Sequence, residues 1–290
     1  MLASYLPYHF VVAIVAITFA LIFIIVKGIK NIALNIQEFI SSLPQSLVKS
    51  EDISIPDNVI RKLFRLADLC NTDVFFHLGC GNNNAVKIAA KEFKVKRSVG
   101  IEIRKTLANK ARKKIIGIKN AEIINEDVSK ASFSDATVIL FWFTDIDYIQ
   151  PIIEKFETEL KNGARIITAW SPPDLMLPTK TEFPFFVCQK PFKYAKNIKE
   201  QIEAVYGNPC IDFTASWLLA EKYIDALEVV SAKYHRFVNM FQSMIIWINA
   251  WNMGVACEEE IPPPVQTYIG ILKTFFNIDL TDMISKKPLI

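Results

Sequence analysis

The chain carries almost no excess of charge. Its 33 Lys and Arg stand against 30 Asp and Glu, a net +3 over 290 residues, too little to argue for nucleic acid as a partner. It has three histidines, His9, His77 and His235, far apart in sequence, so no metal-ligand spacing can be read. Its five cysteines form no C-x-x-C pair and no even framework, which points to free thiols in a reducing compartment. There is no Cys–His or Ser–His–Asp arrangement, and hence no nucleophile or general base to assign. Internal repeats and low-complexity tracts are absent as well. What is abundant is apolar residue, 51 % of the chain against 22 % charged, which excludes a disordered protein and allows one large domain or two.

The N-terminus holds the longest apolar run. Phe10 to Val26 contains Thr18 as its only polar member. As a helix it rises ~26 Å, and Leu6 to Tyr8 lengthen it toward the ~30 Å of a hydrocarbon core. No Lys or Arg precedes it and no clear small-residue cleavage site follows, which argues against a secretory signal. The run reads as a retained transmembrane anchor within residues 6–27. Lys27 and Lys30 flank only one side and place the C-terminal bulk in the cytoplasm. Asn31 to Leu43 is amphipathic, with Ile32, Ile36, Phe39, Ile40 and Leu43 on one side, and either lies on the membrane surface or packs on the domain. Pro44 to Pro56 reads as a linker. These features divide the chain into an anchor (1–28), an amphipathic linker (29–55), a folded domain (56–190) and a helical extension (191–290).

The folded domain is organised around Asp73-Val-Phe-Phe-His-Leu-Gly-Cys-Gly-Asn82. Val74, Phe75, Phe76 and Leu78 make a short buried strand. Gly79 and Gly81 allow a sharp turn and close approach of the backbone to a ligand. Asn84 to Phe93 then keeps helical spacing, with Ala85, Ile88, Ala89 and Phe93 on one face. Strand, glycine turn and helix open a nucleotide-binding α/β fold. A second strand, Arg97 to Ile103, carries an acid, Glu102, about 20 residues past the glycines, the spacing at which a carboxylate meets a ribose diol. The alternative is a tight turn without a ligand.

The remaining pattern extends the sheet. Pro56-Asp57 opens a helix capped by Asp57, with Ile60, Leu63, Phe64 and Ala67 as its stripe. Arg104 to Ile116 is a strongly basic helix, either a solvated outer face or a contact for anionic lipid. Ala121 to Asn125 and the continuous apolar run Ala136 to Phe143 read as strands. Pro151 opens a helix that stops at Asn162-Gly163, and Ala164 to Trp170 is a fifth strand. Thr181 to Cys188 reads as a sixth, with Pro184 placing it at an edge. Alternating strands and helices predict a Rossmann-like, mostly parallel sheet covered on both faces, its ligand at the carboxyl ends of the strands.

In the extension, Ala215 to Ala256 lacks proline, and Leu219, Tyr223, Ala226, Leu227 and Val230 keep helical period. Phe237 to Cys257 is uncharged, but its four amides argue for a buried or groove-lining helix rather than a second span. Glu258 to Glu260 reads as a solvated loop rather than a metal site. Pro262 to Pro264 reads as a stiff connector, followed by a helix from Val265 to Phe276.

With these residues placed, the chain resembles the class I, seven-strand S-adenosylmethionine-dependent methyltransferases. Phe76-His-Leu-Gly-Cys-Gly-Asn82 stands where that family has an acid-Leu-Gly-x-Gly-x-Gly signature, Ser98-Val-Gly-Ile-Glu102 is similar to its second motif, and Glu126-Asp127-Val128 occupies its adenine position. From Ile55-Pro56 through Val138-Ile-Leu-Phe-Trp-Phe-Thr-Asp145 to Ile167, the spacing is similar to a lysine-methyltransferase group that includes membrane-anchored mitochondrial and archaeal enzymes. The resemblance covers about residues 55–190. It implies S-adenosylmethionine as cofactor, held by His77, Gly79, Gly81, Asn83, Glu102 and Asp127. Two positions depart from the pattern. His77 replaces the acid near the cofactor's amino end, where a cation would repel it; otherwise it is a hydrogen-bonded core histidine. Asn83 replaces the third glycine, at a residue type that tolerates positive φ.

Methyl transfer to an amine needs alignment and an uncharged nucleophile. Phe141, Trp142 and Phe143 end the fourth strand, where they either wall a substrate pocket or belong to the core, and Thr144 and Asp145 stand ready to orient an amine. Three functions are compatible: a membrane-tethered protein-lysine methyltransferase, a non-catalytic scaffold of the same fold, and a methyltransferase for a small molecule or lipid. The first implies a lysine-bearing protein substrate near the bilayer.

Overall fold

The computed structural model describes residues 55–142, 146–169, 171–227 and 235–284. The expected anchor, the amphipathic stretch and most of the linker lie outside the described residues, as do Phe143, Thr144 and Asp145. Among the described residues, no helix is long and apolar enough to cross a membrane.

Helix α1 (Asp57–Leu66) leads into β1 (Val74–Leu78), α2 (Ala85–Lys91), β2 (Arg97–Ile101), α3 (Lys105–Lys114), β3 (Ala121–Ile124), β4 (Val138–Leu140), α4 (Ile146–Glu159) and β5 (Arg165–Ala169). A short β6 (Met176–Leu177) precedes β7 (Lys180–Glu182) and β8 (Phe185–Gln189), and β9 (Lys193–Tyr194) returns to pair with β6. The main sheet has seven strands in the order β3-β2-β1-β4-β5-β8-β7. The first five are parallel, and β8 pairs antiparallel with both β5 and β7. Strand order reverses at β1, which pairs with β2 on one side and β4 on the other, so the crevice for a ligand opens beyond the carboxyl end of β1.

Alternation along β1 builds the two core layers. Phe75 joins Val59, Ile60, Leu63 and Phe64 of α1 and Ala85, Ile88 and Ala89 of α2. Phe76 and Leu78 pack on the opposite face with Ile152, Ile153 and Phe156 of α4. Both faces are therefore covered, as the unbroken apolar strands required.

Several local expectations are corrected. Asp57 does not cap α1; Pro56 occupies that position, and the Asp57 carboxylate instead accepts from Asn84 Nδ2 at 2.9 and 3.1 Å. Pro151 lies inside α4, which begins a turn earlier at Ile146. Its missing N–H removes one helix bond, and the buried stripe Ile152, Ile153 and Phe156 carries the helix through. Thr181 to Cys188 is not one strand but a hairpin turning at Phe183-Pro184. Pro184 thereby stays out of the ladder it could not donate to, and exposed β7 forms the edge. The ladder of β4 is shorter than the apolar run, although Thr137 N and Phe141 N still donate to Val74 O and Ile167 O.

The extension comprises α5 (Ile198–Tyr206), α6 (Phe213–Leu227), α7 (His235–Asn252) and α8 (Pro263–Phe276). Helix α5 was not read from the sequence, although its signals are local. Asn197 Oδ1, at the N-cap, accepts from Glu200 N at 3.0 Å and Glu200 Oε2 reaches back to Lys196 N at 2.7 Å, with Gly207 left-handed at the other end. Pro263 and Pro264 are the first helical positions of α8 rather than a connector. Glu258 is not a solvated loop residue, since it accepts from Phe213 N at 2.9 Å and Trp247 Nε1 at 3.0 Å. The thiols are not all free either: Cys210 and Cys257 are joined in a disulfide, leaving Cys70, Cys80 and Cys188 reduced. The pair flanks Ile211 and Ala256, which the return of α7 beside α6 brings together. The extension docks on the sheet, because Tyr223 and Ile224 of α6 share a core layer with Ala169, Phe185 and Val187.

Candidate active site

Beyond β1 the chain turns through Gly79 (φ 66) and Gly81 (φ 52), both in the left-handed region that side chains disfavour. Cys80 N donates to Ile101 O at 2.9 Å and ties the turn to the end of β2. Gly100 leaves room for this crossing. A Cβ there would stand 2.7 Å from Ile123 Cδ1 and 2.8 Å from Cys80 Sγ. Burial pushes the Cys80 thiol up to about 12, so it is no nucleophile.

Glu102 follows β2 and is 2 % exposed. Its Oε2 accepts from Gly81 N at 2.8 Å, and its Oε1 from Arg104 N at 2.9 Å and Arg104 Nε at 3.3 Å. Two oxygens offer about four acceptor sites; three are taken here, and the remaining one is open to a ribose hydroxyl. Asn125 Nδ2 donates to the carbonyls of Glu102 and Ile103 at 2.8 and 2.9 Å, which fixes the strand end. Ile103, passed over in the sequence, is 57 % exposed beside Glu102 and offers an apolar face at the crevice. Asp127 lies after β3, where its Oδ1 accepts from Ser129 N at 2.9 Å.

Asn83 does not use the positive φ that asparagine tolerates; that conformation is absent there. Its Oδ1 instead accepts from Ala85 N at 2.8 Å at the start of α2. The position therefore has no need of glycine. The basic helix α3 is mostly a solvated face, but Lys114 Nζ donates to Asn82 O and braces the turn, a contact its sequence context did not reveal.

His77 is fully buried, and neither ring nitrogen has a hydrogen-bond partner. It is thus not the hydrogen-bonded core histidine that was one expectation. Its ring lies 5.1 Å from that of Trp142, centroid to centroid. Burial lowers its pKa to about 3, so the imidazole is neutral, and the feared repulsion of a cationic cofactor does not arise. A neutral imidazole can accept from an ammonium and donate to a carboxylate. Both groups occur at the amino-acid end of S-adenosylmethionine, so the idle nitrogens fit it. Trp142 is partly buried against the layer of α1 and α2. Phe141 is core, its ring 5.5 Å from that of Phe156, rather than a pocket wall.

The buried imidazole has a consequence for pH. The unfolded histidine titrates near 6.5, above its folded value, so the unfolded chain takes the proton first. Stability is whole above about pH 6.5 and falls as pH drops toward 3, by about 1.4 kcal/mol per unit. Between pH 6.5 and 5, urea denaturation is expected to show about 2 kcal/mol more loss in the parent than in His77→Phe. Parallel profiles would contradict the neutral buried ring.

Comparison with known proteins bears on this geometry. The family described as Histone methylation protein DOT1 matches residues 55–175. A protein-lysine N-methyltransferase of Saccharolobus islandicus (strain REY15A) is 30 % identical over 136 residues, 43 % of this chain and 82 % of that protein. An RNA methyltransferase from Salinibacter ruber, solved with S-adenosyl-L-homocysteine, is 26 % identical with a TM-score of 0.42, covering 50 % of this chain and 99 % of that one. Magnesium protoporphyrin IX methyltransferase from Synechocystis PCC 6803, solved with its cofactor, is 14 % identical with a TM-score of 0.33, covering 40 % of this chain and 57 % of that one. The identity with the Saccharolobus enzyme runs through most of its length, and the family match spans the glycine turn and Glu102. The chain belongs to the class I S-adenosylmethionine-dependent methyltransferases.

Proposed function

We propose that the protein is a membrane-anchored enzyme that transfers methyl groups from S-adenosylmethionine to lysine side chains of proteins. The observation that carries the cofactor assignment is the buried Glu102 carboxylate, bonded to the glycine turn at the point where strand order reverses. The lysine target rests on likeness to the archaeal protein-lysine N-methyltransferase and on the stretch ending in Phe143, Thr144 and Asp145.

When bound, the cofactor would supply an electrophilic methyl on a sulfonium for transfer to an uncharged amine. The protein's own task is to bind and align. Glu102 would hold a ribose hydroxyl while bracing Gly81. Gly79 and Gly81 bring backbone N–H groups close. Ile103 and Asp127 would hold the purine. His77 meets the amino-acid end, donating from one nitrogen and accepting at the other. The incoming lysine titrates near 10.4 in water, and desolvation beside Trp142 favours its neutral form. No general base is assigned.

A scaffold that has lost the cofactor was the competing reading. Its two supports weaken here, because His77 is neutral and Asn83 occupies a conformation that does not require glycine. The anchor rests on the apolar run 10–26, and the cytoplasmic orientation on Lys27 and Lys30.

Purified protein incubated with methyl-labelled cofactor and membranes from cells lacking it should place label on protein lysines, and Gly79→Arg should abolish it. Label found only in lipid would redirect the assignment to that substrate, and absence of label would contradict the proposal.

A further inference from the structure

An open cleft of about 350 Å³ lies in the extension between α6 and the first turn of α7. Trp217, Glu221, Ile224 and Asp225 line it from α6, at spacings that share one helix face. His235, Arg236 and Asn239 line it from α7, so the two carboxylates of α6 face two basic side chains as well as the amide. Asn239 is 4 % exposed, yet neither its amide nitrogen nor its amide oxygen has a hydrogen-bond partner. Burying such a group without a partner is costly, so it calls for a partner that the chain itself does not supply.

The lining specifies the chemistry of that ligand. An idle amide that offers one donor and one acceptor matches a peptide group, which offers the converse pair. Glu221 and Asp225 stand together on α6 as acceptors for a cation. Trp217 Nε1 donates to Glu221 Oε1 at 3.0 Å, which holds that carboxylate against the indole and leaves its second oxygen for a ligand. An ammonium favours the pairing of carboxylate and aromatic face. Arg236, exposed at the start of α7, is placed to donate to a second carbonyl. Ile224 belongs both to the cavity wall and to the core layer against which Trp142 packs, so the cavity adjoins the domain that holds the glycine turn.

We propose that this cavity is a docking subsite for the protein substrate, in which Asn239 pairs with a backbone peptide group and Glu221 with Asp225 takes a basic side chain of the same segment. The inference rests on the reading of the enzyme as one that modifies lysine-bearing proteins.

The test uses the full chain and the capped tripeptide acetyl-Gly-Lys-Gly-amide, with its norleucine counterpart as control. The indole N–H resonance of Trp217 reports occupancy, because its partner Glu221 is part of the cavity. The lysine peptide should shift that resonance saturably, and the norleucine peptide should bind at least tenfold more weakly. Glu221→Gln combined with Asp225→Asn should remove that preference. Asn239→Leu deletes an unsatisfied polar group, so it should fold at least as stably as the parent while losing at least tenfold in peptide affinity; a merely structural asparagine would not behave so. Equal affinity for both peptides, unchanged binding by Asn239→Leu, or tighter binding of free lysine than of the capped peptide would overturn the proposal. Peptide binding without methyl transfer would uphold this subsite and refute the enzymatic reading, whereas methyl transfer with no shift at Trp217 would do the reverse.

Discussion

Glu102→Ala is expected to weaken binding of S-adenosylmethionine ten- to a hundred-fold. The loss follows from removing a charged acceptor worth about 1.5–3 kcal/mol. The same carboxylate holds Gly81 N at 2.8 Å and Arg104 N at 2.9 Å, so alanine also frees the turn that brings the backbone to the cofactor. Glu102→Gln separates the two roles. Its amide oxygen can still accept from Gly81, while the charge and one acceptor position for a ribose hydroxyl are gone. The glutamine variant should therefore bind more tightly than the alanine variant and less tightly than the parent. Calorimetric titration measures all three. An alanine variant that folds and binds like the parent would show that the ribose lies elsewhere.

The largest effect on stability is expected at the opposite end of the strands. Asp73 precedes β1 and is buried. Burial alone would raise its carboxyl, but bonds from Cys70 N and Thr137 Oγ1 at 2.8 and 2.7 Å, together with the Arg165 guanidinium, hold it below its usual value. Arg165 donates as well to Asp68 O at 2.9 Å, so one side chain ties α1, β1 and β5 together. Arg165→Met leaves the carboxylate buried without its cation and should cost about 3–5 kcal/mol, read as a lowered urea midpoint at unchanged slope. Asp73→Asn added to that variant should restore part of the loss. The folded Asp73 value lies below the unfolded one near 3.9, so its contribution is present above about pH 4 and is lost as pH falls through the folded value. The single variant should accordingly lose less than the parent on acidification. A cost below about 1 kcal/mol, the scale of exposed pairs, would contradict the buried network.

Legibility in the sequence followed the range of the interactions involved. The turn at Gly79 and Gly81, the helix after it and Glu102 at the end of the next strand are encoded within a few tens of residues. Strand and helix periodicities there agree with one another, and the parallel sheet followed. The N-cap at Asn197 and the stop at Gly207 were equally local and could have been read. Other features depend on segments distant in the chain. Cys210 meets Cys257 only because α7 returns beside α6. Thr181 to Cys188 looked like one strand because its apolar residues run together; pairing with β5 on one side and β7 on the other decided where it bends. His77 was ambiguous for the same reason. Its burial and neutrality are set by packing that includes Trp142, and its unpaired nitrogens became visible only in three dimensions. Phe141 likewise resolved to core once its partner Phe156 was placed.

The central claim is that this turn and this carboxylate bind S-adenosylmethionine in a chain that keeps His77 and Asn83. Titration calorimetry of the parent protein with S-adenosylmethionine, and with its demethylated product, tests it most directly. Saturable binding of one molecule per chain, with the product competing for the same site, is the result expected. Absence of binding by either compound, in protein shown to be folded by its cooperative urea transition, would contradict the account.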